Sequence, residues 1–302
     1  MRRALPVAND VVEVAGLVGL DTDLDDRVLG AGASVVQHGD AELEGEERAL
    51  KLFESAAGYD AVRREIGALR KVDHPNVVKV YWAGKTQASD WYLITEYIAG
   101  ESLDEYVSGT KRLRDREAID VAMDILDALV AIHPNAARIG ELEEKGRDSQ
   151  LSETEYAELM ELRDKGLVHR DIKPLNIILT RKGAKLLDFN IASRVDDVVH
   201  TVSGTPPYQP PDANLTRWDV SPDLFAVGVV LYELLCDGNH PYPGRQPMAG
   251  ERPADALSLR PDLSPQLAQF LQKACAPYRE ERFGSAREMG DALSEIRASR
   301  TT

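Results

Sequence analysis

The sequence is poor in cysteine, in basic residues and in long apolar runs. Two cysteines, Cys236 and Cys275, are too few for a disulfide framework and suit a reducing compartment. Asp and Glu total 51 against 36 Lys and Arg, and the net charge of −15 argues against nucleic acid or an anionic membrane as the main partner. No apolar run reaches the roughly twenty residues of a membrane span, and polar residues interrupt the stretch behind Met1-Arg2-Arg3, unlike a secretory signal. We therefore expect a cytoplasmic globular protein.

An ordered set of polar residues lies near the middle of the chain. The segment His169-Arg170-Asp171-Ile172-Lys173-Pro174-Leu175-Asn176 is followed by Asp188-Phe189-Asn190. These segments resemble the catalytic loop and the Asp-Phe-Gly motif of eukaryotic-type serine/threonine protein kinases. The resemblance extends over about residues 24–297 and implies an α+β, bilobal protein kinase fold. Such a fold has a five-stranded antiparallel N-lobe with one helix and a mainly helical C-lobe.

The pattern along the chain predicts an N-terminal extension over residues 1–23 and an N-lobe over residues 24–98. Short apolar runs broken by glycine suit three antiparallel strands in residues 26–53, with an acidic loop at 39–47. Residues 59–72 have helical spacing, and residues 77–82 and 91–97 are the next two strands.

The C-lobe is expected over residues 99–302. Residues 116–132 predict a core-facing helix, residues 223–235 are apolar all round and predict a buried helix, and residues 264–297 predict two amphipathic helices. Residues 134–165 form an insertion where kinases usually have only a few residues. A capping box of Ser152 and Glu155 predicts a charged helical hairpin there. It is either a solvated spacer or a segment that binds a partner.

Phosphoryl transfer requires the protein to align donor and acceptor and to neutralise charge on the phosphates. The resemblance implies that Asp171 receives the proton of the acceptor hydroxyl and that Lys173 reaches the γ-phosphate of ATP. It also implies that Asn176 and Asp188 bind Mg²⁺ or Mn²⁺, which prefer hard oxygen ligands.

The resemblance assigns ATP contacts to residues of the N-lobe. Lys51 is implied to contact the phosphates and to pair with Glu65. Gly30 and Gly32 belong to a glycine-rich loop whose backbone N–H groups approach phosphate, although the third glycine is absent. The residues implied to surround the adenine or to form its hinge are Leu29, Val36, Ala49, Thr95, Glu96, Ile98 and Ile178.

Further positions follow the family in the C-lobe. Thr205 is implied to position a protein substrate with a Ser or Thr acceptor. Because Arg170 precedes the catalytic aspartate, a phosphate on Thr201 or Ser203 is expected to switch the kinase. The residues implied to have structural roles are His169, Arg170, Phe189, Asp212, Asp223 and Arg282, of which Asp212 would pair with Arg282 and Asp223 would brace the catalytic loop.

Two departures leave other functions open. Asn190 replaces the last glycine of Asp-Phe-Gly, and together with the irregular glycine-rich loop it motivates a pseudokinase scaffold that binds nucleotide as the alternative. A small-molecule phosphotransferase is disfavoured because Asp223 and the activation-segment residues 208–212 match protein kinases. The arginine-rich composition predicts a bacterial source. This composition, the insertion and Asp-Phe-Asn together give a weaker resemblance to phage-growth-limitation defence kinases.

Overall fold

The structure is a computed structural model. It describes residues 22–23, 34–43, 46–53, 66–67, 69–85, 91–147, 151–188, 205–212, 219–245, 247–248 and 250–299. The chain divides into two compact units, one formed by residues 1–73 and 78–99 and the other by residues 74–77 and 100–302. No helix among the described residues is both long enough and apolar enough to cross a membrane.

The first unit contains a five-stranded antiparallel sheet in the order β1-β2-β3-β5-β4. Its strands are β1 (Thr22–Asp23), β2 (Ser34–Leu43), β3 (Glu46–Phe53), β4 (Val80–Lys85) and β5 (Trp91–Glu96). Tyr92, Leu93 and Ile94 of β5 are all buried, as a strand between two others requires when both faces are covered. The predicted five-stranded antiparallel sheet is confirmed, but its first strand, β1, lies within residues 1–23, which were predicted as an N-terminal extension.

Two local predictions for this unit are wrong. The acidic stretch 39–47, expected as a loop, lies mostly in strands because β2 continues to Leu43 and β3 begins at Glu46, with a shift of register between Gly39 and Leu43. The strand expected from Val77 begins only at Val80. Val77 belongs to the second unit, within which it bridges to Leu186, and Leu186 N donates to Asn76 O at 2.8 Å.

The helix expected at 59–72 is described only near its end. Residues 66, 67 and 69 are helical, and Arg70 N donates to Ile66 O at 2.9 Å. Ile66 and Leu69 are both buried, which agrees with the apolar face that their spacing predicts.

The second unit is mainly helical, as expected. A small sheet in the order β6-β7-β8 consists of Glu101–Ser102, Ile177–Thr180 and Gly183–Leu186. The helices are α1 (Asp104–Val107), α2 (Asp115–Ile132), α3 (Ala136–Arg147), α4 (Glu153–Lys165), α5 (Ser221–Leu235), α6 (Ala256–Leu259), α7 (Pro265–Ala274) and α8 (Ala286–Ser299). Short 3₁₀ helices occupy Pro174–Asn176, Pro206–Tyr208 and Arg279–Glu281.

Helix α5 lies in the middle of this unit. Its side chains are buried on every face, including Phe225 and Tyr232, which have no exposed surface. Helices α2 and α7 pack against it, and α8 packs against α2. The contact with α7 is close because a Cβ atom built on Gly228 would lie 2.8 Å from Ala274 Cβ and 2.9 Å from its carbonyl carbon. A residue without a side chain is therefore required at this crossing.

Two glycines inside helices give a matched test of this crossing. We expect Gly228→Ala to lower the free energy of unfolding by about 1–3 kcal/mol, because α7 must move away from the added methyl group. Gly290→Ala in α8 should leave stability unchanged or raise it by up to ~1 kcal/mol, because its Cβ would meet only Leu126 Cβ, at 3.9 Å. Urea unfolding followed by circular dichroism measures both. Equal effects of the two substitutions would contradict the close packing of α5 on α7.

Candidate active site

The β7–β8 hairpin places Asn176 beside the segment that carries Asp188. Asn176 ends the 3₁₀ helix Pro174–Asn176, immediately before β7, and the first residue of β7 pairs with Leu186 at the end of β8. Leu187 N donates to Asn176 O at 2.8 Å. The two residues predicted to bind a divalent cation therefore emerge at the same end of one hairpin. Asp188 has a positive φ of 50°, unusual for a residue with a side chain.

Asp171 is the centre of a hydrogen-bonded network. Asn176 Nδ2 donates to Asp171 O at 2.8 Å and to Oδ2 at 3.1 Å, and Lys173 Nζ lies 2.8 Å from the same Oδ2. The Thr205 hydroxyl donates to Asp171 Oδ1 at 2.8 Å and accepts a bond from Lys173 Nζ at 3.0 Å. The structure thus brings together four of the predicted residues, and an alcohol already bonds the carboxylate.

The backbone before Asp171 is held by one buried carboxylate. Asp223 Oδ2 accepts a bond from His169 N at 2.7 Å and Oδ1 accepts one from Arg170 N at 2.7 Å. Arg170 has a φ of 65°, a left-handed conformation that costs a residue with a side chain energy and needs support from its surroundings. Asp223 lies where the sequence predicted a brace for this loop.

A third donor to Asp223 was missed by the sequence analysis. His133 Nε2 lies 3.0 Å from Asp223 Oδ2. Burial by itself would raise the pKa of Asp223, but the hydrogen bond and charge of His133 lead the contacts that hold it below its ordinary value. The only signal in the sequence was the position of His133, directly after the predicted core helix that became α2.

His169 is neutral and fully bonded. Its Nε2 lies 2.7 Å from Leu187 O, which can only accept, so this nitrogen carries the proton. Its Nδ1 accepts a bond from Asp171 N at 3.3 Å. Burial lowers the pKa of His169, in agreement with the neutral ring. The His169 side chain therefore connects the loop that carries Asp171 to Leu187, which directly precedes Asp188.

A second anchor joins Asp212 to Arg282. Arg282 Nη2 donates to Asp212 Oδ1 at 2.6 Å, and Arg279 N donates to Oδ2 at 2.6 Å. The remaining Arg282 groups donate to Ser221 Oγ and Ala276 O. Arg282 is only 5% exposed and its other donors are satisfied, whereas the Asp212 side chain is 23% exposed, so the ion pair lies at the edge of the core.

Glu233 was also missed, although a glutamate within an apolar run is a recognisable signal. It has no exposed surface on α5. Tyr208 Oη donates to Glu233 Oε2 at 2.9 Å, and Arg245 Nη2 donates to Oε1 at 3.0 Å. Burial raises the pKa of Glu233 to about 7, in spite of these two contacts, which lower it. The carboxyl group therefore links the 3₁₀ helix Pro206–Tyr208 to the centre of the second unit.

The first unit carries several of the predicted nucleotide contacts. Ala49 and Lys51 are partly exposed while Leu50 between them is buried, so the first two share one face of β3. Ala49 pairs with Thr95 in the register of β3 and β5. Glu96 Oε1 accepts a bond from Lys79 N at 2.8 Å.

For other predicted site residues, only the position in the fold is described. Ile98 follows β5 and is partly exposed, and Ile178 lies in β7 of the second unit. The backbone of Val36 lies in β2, opposite Lys51 of β3. Predicted site residues outside the described part of the chain are Leu29, Gly30, Gly32, Glu65, Phe189, Thr201 and Ser203.

The side chains present fit a divalent cation bound together with phosphate. Because the Asn176 amide nitrogen donates to Asp171, its amide oxygen remains the atom that can ligate a cation. One such oxygen and the Asp188 carboxylate are typical of Mg²⁺ sites, where phosphates and water complete the coordination. No cluster of three or more His, Cys, Asp or Glu that could hold a metal by itself occurs among the residues whose positions are described.

Comparisons with known proteins agree with this geometry. The family model described as protein tyrosine and serine/threonine kinase matches residues 26–284. The chain is 29% identical to the probable serine/threonine-protein kinase SCO3848 of Streptomyces coelicolor, over 87% of this chain and 38% of that protein. It is 28% identical to the serine/threonine-protein kinase PrkC of Bacillus subtilis, again over 87% and 38%. The chain thus spans less than half the length of these curated relatives.

Two solved structures are also similar. The Mycobacterium tuberculosis PknI kinase domain has a TM-score of 0.62 at 24% identity, covering 89% of this chain and 94% of that one. Rad53 in complex with AMP-PNP has a TM-score of 0.63 at 18% identity, covering 92% and 65%. At these identities the likeness establishes the fold alone, and that fold agrees with the prediction.

The raised pKa of Glu233 predicts a pH dependence of stability. Its pKa moves from an ordinary value of 4.5 to about 7, so the folded state binds this proton more tightly than the unfolded chain. The contribution of Glu233 is therefore complete below pH ~4.5 and is lost as the pH rises through ~7. Relative to wild type, Glu233→Gln should gain on the order of 2 kcal/mol between pH ~5 and ~8. Urea unfolding at several pH values measures this difference, and a difference independent of pH would refute the assignment.

Proposed function

The chain belongs to the protein tyrosine and serine/threonine kinase family, and we propose that it transfers the γ-phosphoryl group of ATP to Ser or Thr hydroxyls of proteins. The observation that carries the proposal is the network of Asp171, Lys173, Asn176 and Thr205. It is supported by the names of the relatives, which are serine/threonine-protein kinases. A cytoplasmic location is part of the same proposal.

Asp171 receives the proton of the acceptor hydroxyl in this proposal. Its carboxylate already accepts a bond from the Thr205 hydroxyl at 2.8 Å, within the distance that proton transfer requires. A substrate hydroxyl that bonded Asp171 in the same manner would be oriented for attack on the terminal phosphate. Because Asp223 fixes the backbone before Asp171, the carboxylate needs little reorganisation when a substrate binds.

Lys173 supplies positive charge beside the reacting groups. Its Nζ contacts both Asp171 and Thr205, so it lies at the place where the acceptor is expected. From there it stabilises negative charge on the transferred phosphoryl group. The contact with Thr205 also supports a Ser or Thr acceptor, because both residues are typical of serine/threonine kinases.

Asn176 and Asp188 are proposed to bind Mg²⁺, with Mn²⁺ as the substitute. The metal, when bound, neutralises charge on the phosphate oxygens. Asn176 is oriented for this by its bonds to Asp171, and the hydrogen bond between Leu187 and Asn176 keeps the two ligand-bearing segments together.

The first unit is proposed to bind the nucleotide. Lys51 contacts the phosphates and pairs with Glu65, and Gly30 and Gly32 bring backbone N–H groups to them. The residues proposed to surround the adenine or to form the hinge beside it are Leu29, Val36, Ala49, Thr95, Glu96, Ile98 and Ile178. The complex of Rad53 with AMP-PNP, an ATP analogue, supports a nucleotide as the ligand.

Removal of the Asp171 carboxylate tests the activity. We expect Asp171→Ala to lower kcat for peptide phosphorylation by about 10²–10⁴, because proton transfer and positioning are lost together. Affinity for Mg·ATP, measured by calorimetry, should change much less, since no proposed nucleotide ligand is removed.

The matched control for this experiment is Asp73→Ala, whose side chain is 88% exposed and forms an ion pair with Lys79 at 3.6 Å. It should retain full turnover. Turnover of Asp171→Ala within a few-fold of wild type would exclude Asp171 as the base. Mg·ATP binding without turnover in the wild type would favour the pseudokinase alternative.

Autophosphorylation tests the proposed regulation. We expect phosphate on Thr201 or Ser203 after incubation with Mg·ATP, because Arg170 offers a guanidinium group that can bind a phosphate with two hydrogen bonds. Thr201→Ala/Ser203→Ala should lower kcat at least about tenfold and leave Mg·ATP affinity unchanged. Mass spectrometry locates the phosphate, and full activity of the unphosphorylated double variant would contradict this regulation.

A further inference from the structure

The residues that follow Thr205 form a short element with few backbone donors. Thr205 directly precedes the 3₁₀ helix Pro206–Tyr208, and its hydroxyl contacts Asp171. Because the two prolines have no N–H group, the first backbone donor after Thr205 is Tyr208 N, which bonds Thr205 O at 2.9 Å. Such a segment depends on side chains from other elements to keep its position. We call residues 205–208 the acceptor segment, since its first residue lies where the substrate hydroxyl is proposed to bind.

His240 holds the middle of the acceptor segment. Its Nε2 lies 2.8 Å from Pro207 O, an atom that can only accept, so this nitrogen carries the proton. Its Nδ1 accepts a bond from Tyr242 N at 3.1 Å, and burial lowers the pKa of His240, in agreement with a neutral ring. Tyr242 O lies 3.0 Å from the same Nδ1 and would accept the second proton of a charged ring. The bond to Pro207 therefore exists in both protonation states.

The loop that carries His240 is fixed on both sides of the histidine. Before it, Gly238 has a φ of 77°, and a Cβ atom built there would overlap Val107 O at the end of α1. After it, Tyr242 has no exposed surface, and its Oη donates to Cys275 O at 2.6 Å, directly after α7. His240 therefore extends from a support that is anchored to two helices, so the ring can hold the acceptor segment with little motion of its own.

A second contact from the same loop acts less directly. Arg245 Nη2 donates to Glu233 Oε1 at 3.0 Å, and Tyr208 Oη donates to the other carboxylate oxygen at 2.9 Å. Rotation of the Tyr208 side chain can absorb a shift of this carboxylate. The histidine instead holds the backbone, and because peptide units are rigid, a displacement of Pro207 O is passed on to Thr205, two residues before it.

We propose that His240 is a positioning residue for the protein substrate: by holding Pro207 O it keeps Thr205 beside Asp171 and Lys173, where the acceptor hydroxyl binds. The inference rests on the proposed function, which assigns this place to the substrate. Loss of the contact allows the acceptor segment to move and changes none of the residues proposed to bind the nucleotide. It therefore weakens productive binding of the protein substrate and leaves Mg·ATP binding unchanged.

Two substitutions of similar shape separate the roles of the two ring nitrogens. The amide of His240→Gln can reach the position of Nε2 and donate to Pro207 O, whereas the amide of His240→Asn replaces Nδ1 and can bond only Tyr242. We expect His240→Asn to raise the KM for a serine peptide about three- to tenfold and His240→Gln to stay within about twofold of wild type. The KM for Mg·ATP should be unchanged in both. Steady-state phosphorylation kinetics measure these constants.

A matched control changes the same loop at a residue that does not contact the acceptor segment through its side chain. Tyr242→Phe removes the bond to Cys275 O and should lower the thermal midpoint, yet leave the KM for the peptide unchanged. Hydrogen exchange followed by mass spectrometry gives a readout that needs no activity. The amide of Tyr208 should exchange faster in His240→Asn than in wild type, in His240→Gln or in Tyr242→Phe.

The outcomes distinguish this inference from the proposed function. If wild type phosphorylates the peptide but His240→Asn matches it in KM and in exchange, the role of His240 is overturned and the proposed function stands. Equal rises of the peptide KM in His240→Asn and His240→Gln, or in His240→Asn and Tyr242→Phe, overturn it as well, because general loosening of the loop would then explain them. Wild type that phosphorylates no peptide contradicts the proposed function and, with it, this role.

Discussion

The arrangement of the second unit depends on the buried carboxylate of Asp223. It accepts bonds from the backbone of His169 and Arg170 and from the ring of His133, so one group joins α5, the end of α2 and the loop that carries Asp171. A buried charge is costly unless its hydrogen bonds are made, and here three donors surround it. They also hold Arg170 in a left-handed conformation that would otherwise relax.

The same physical solution recurs at other loops of this unit. Arg282 binds Asp212 together with Ala276 O, and Glu233 binds Tyr208, so buried charged side chains hold segments that have no strand partner. Loops lack the regular ladder of backbone hydrogen bonds, and their polar groups must find other partners. A catalytic centre made of loops therefore needs polar side chains in the core, and α5 supplies two of them.

The insertion, residues 134–165, is held by apolar packing between its own two helices. Its helices bury Leu142 and Leu159 against each other, and the close contact of Pro134 with Gly166 closes the hairpin where it leaves α2. Such a packed addition costs the main core little, because Leu167 still bonds Ile132 across its base.

The sequence alone determined the strands, helices and motif residues that depend on neighbouring positions along the chain. Short apolar runs broken by glycine predicted β3, helical spacing predicted α2, and an all-apolar run predicted α5. Ser152 and Glu155 predicted the start of α4, and a dense motif identified Asp171 and Asn176. Tertiary structure decided the contacts that cross the chain: His133 with Asp223, Tyr208 with Glu233, and Val77 with Leu186 instead of a longer β4. Periodicity and capping are local, whereas a buried polar group takes whichever partner the packing of distant segments brings within reach.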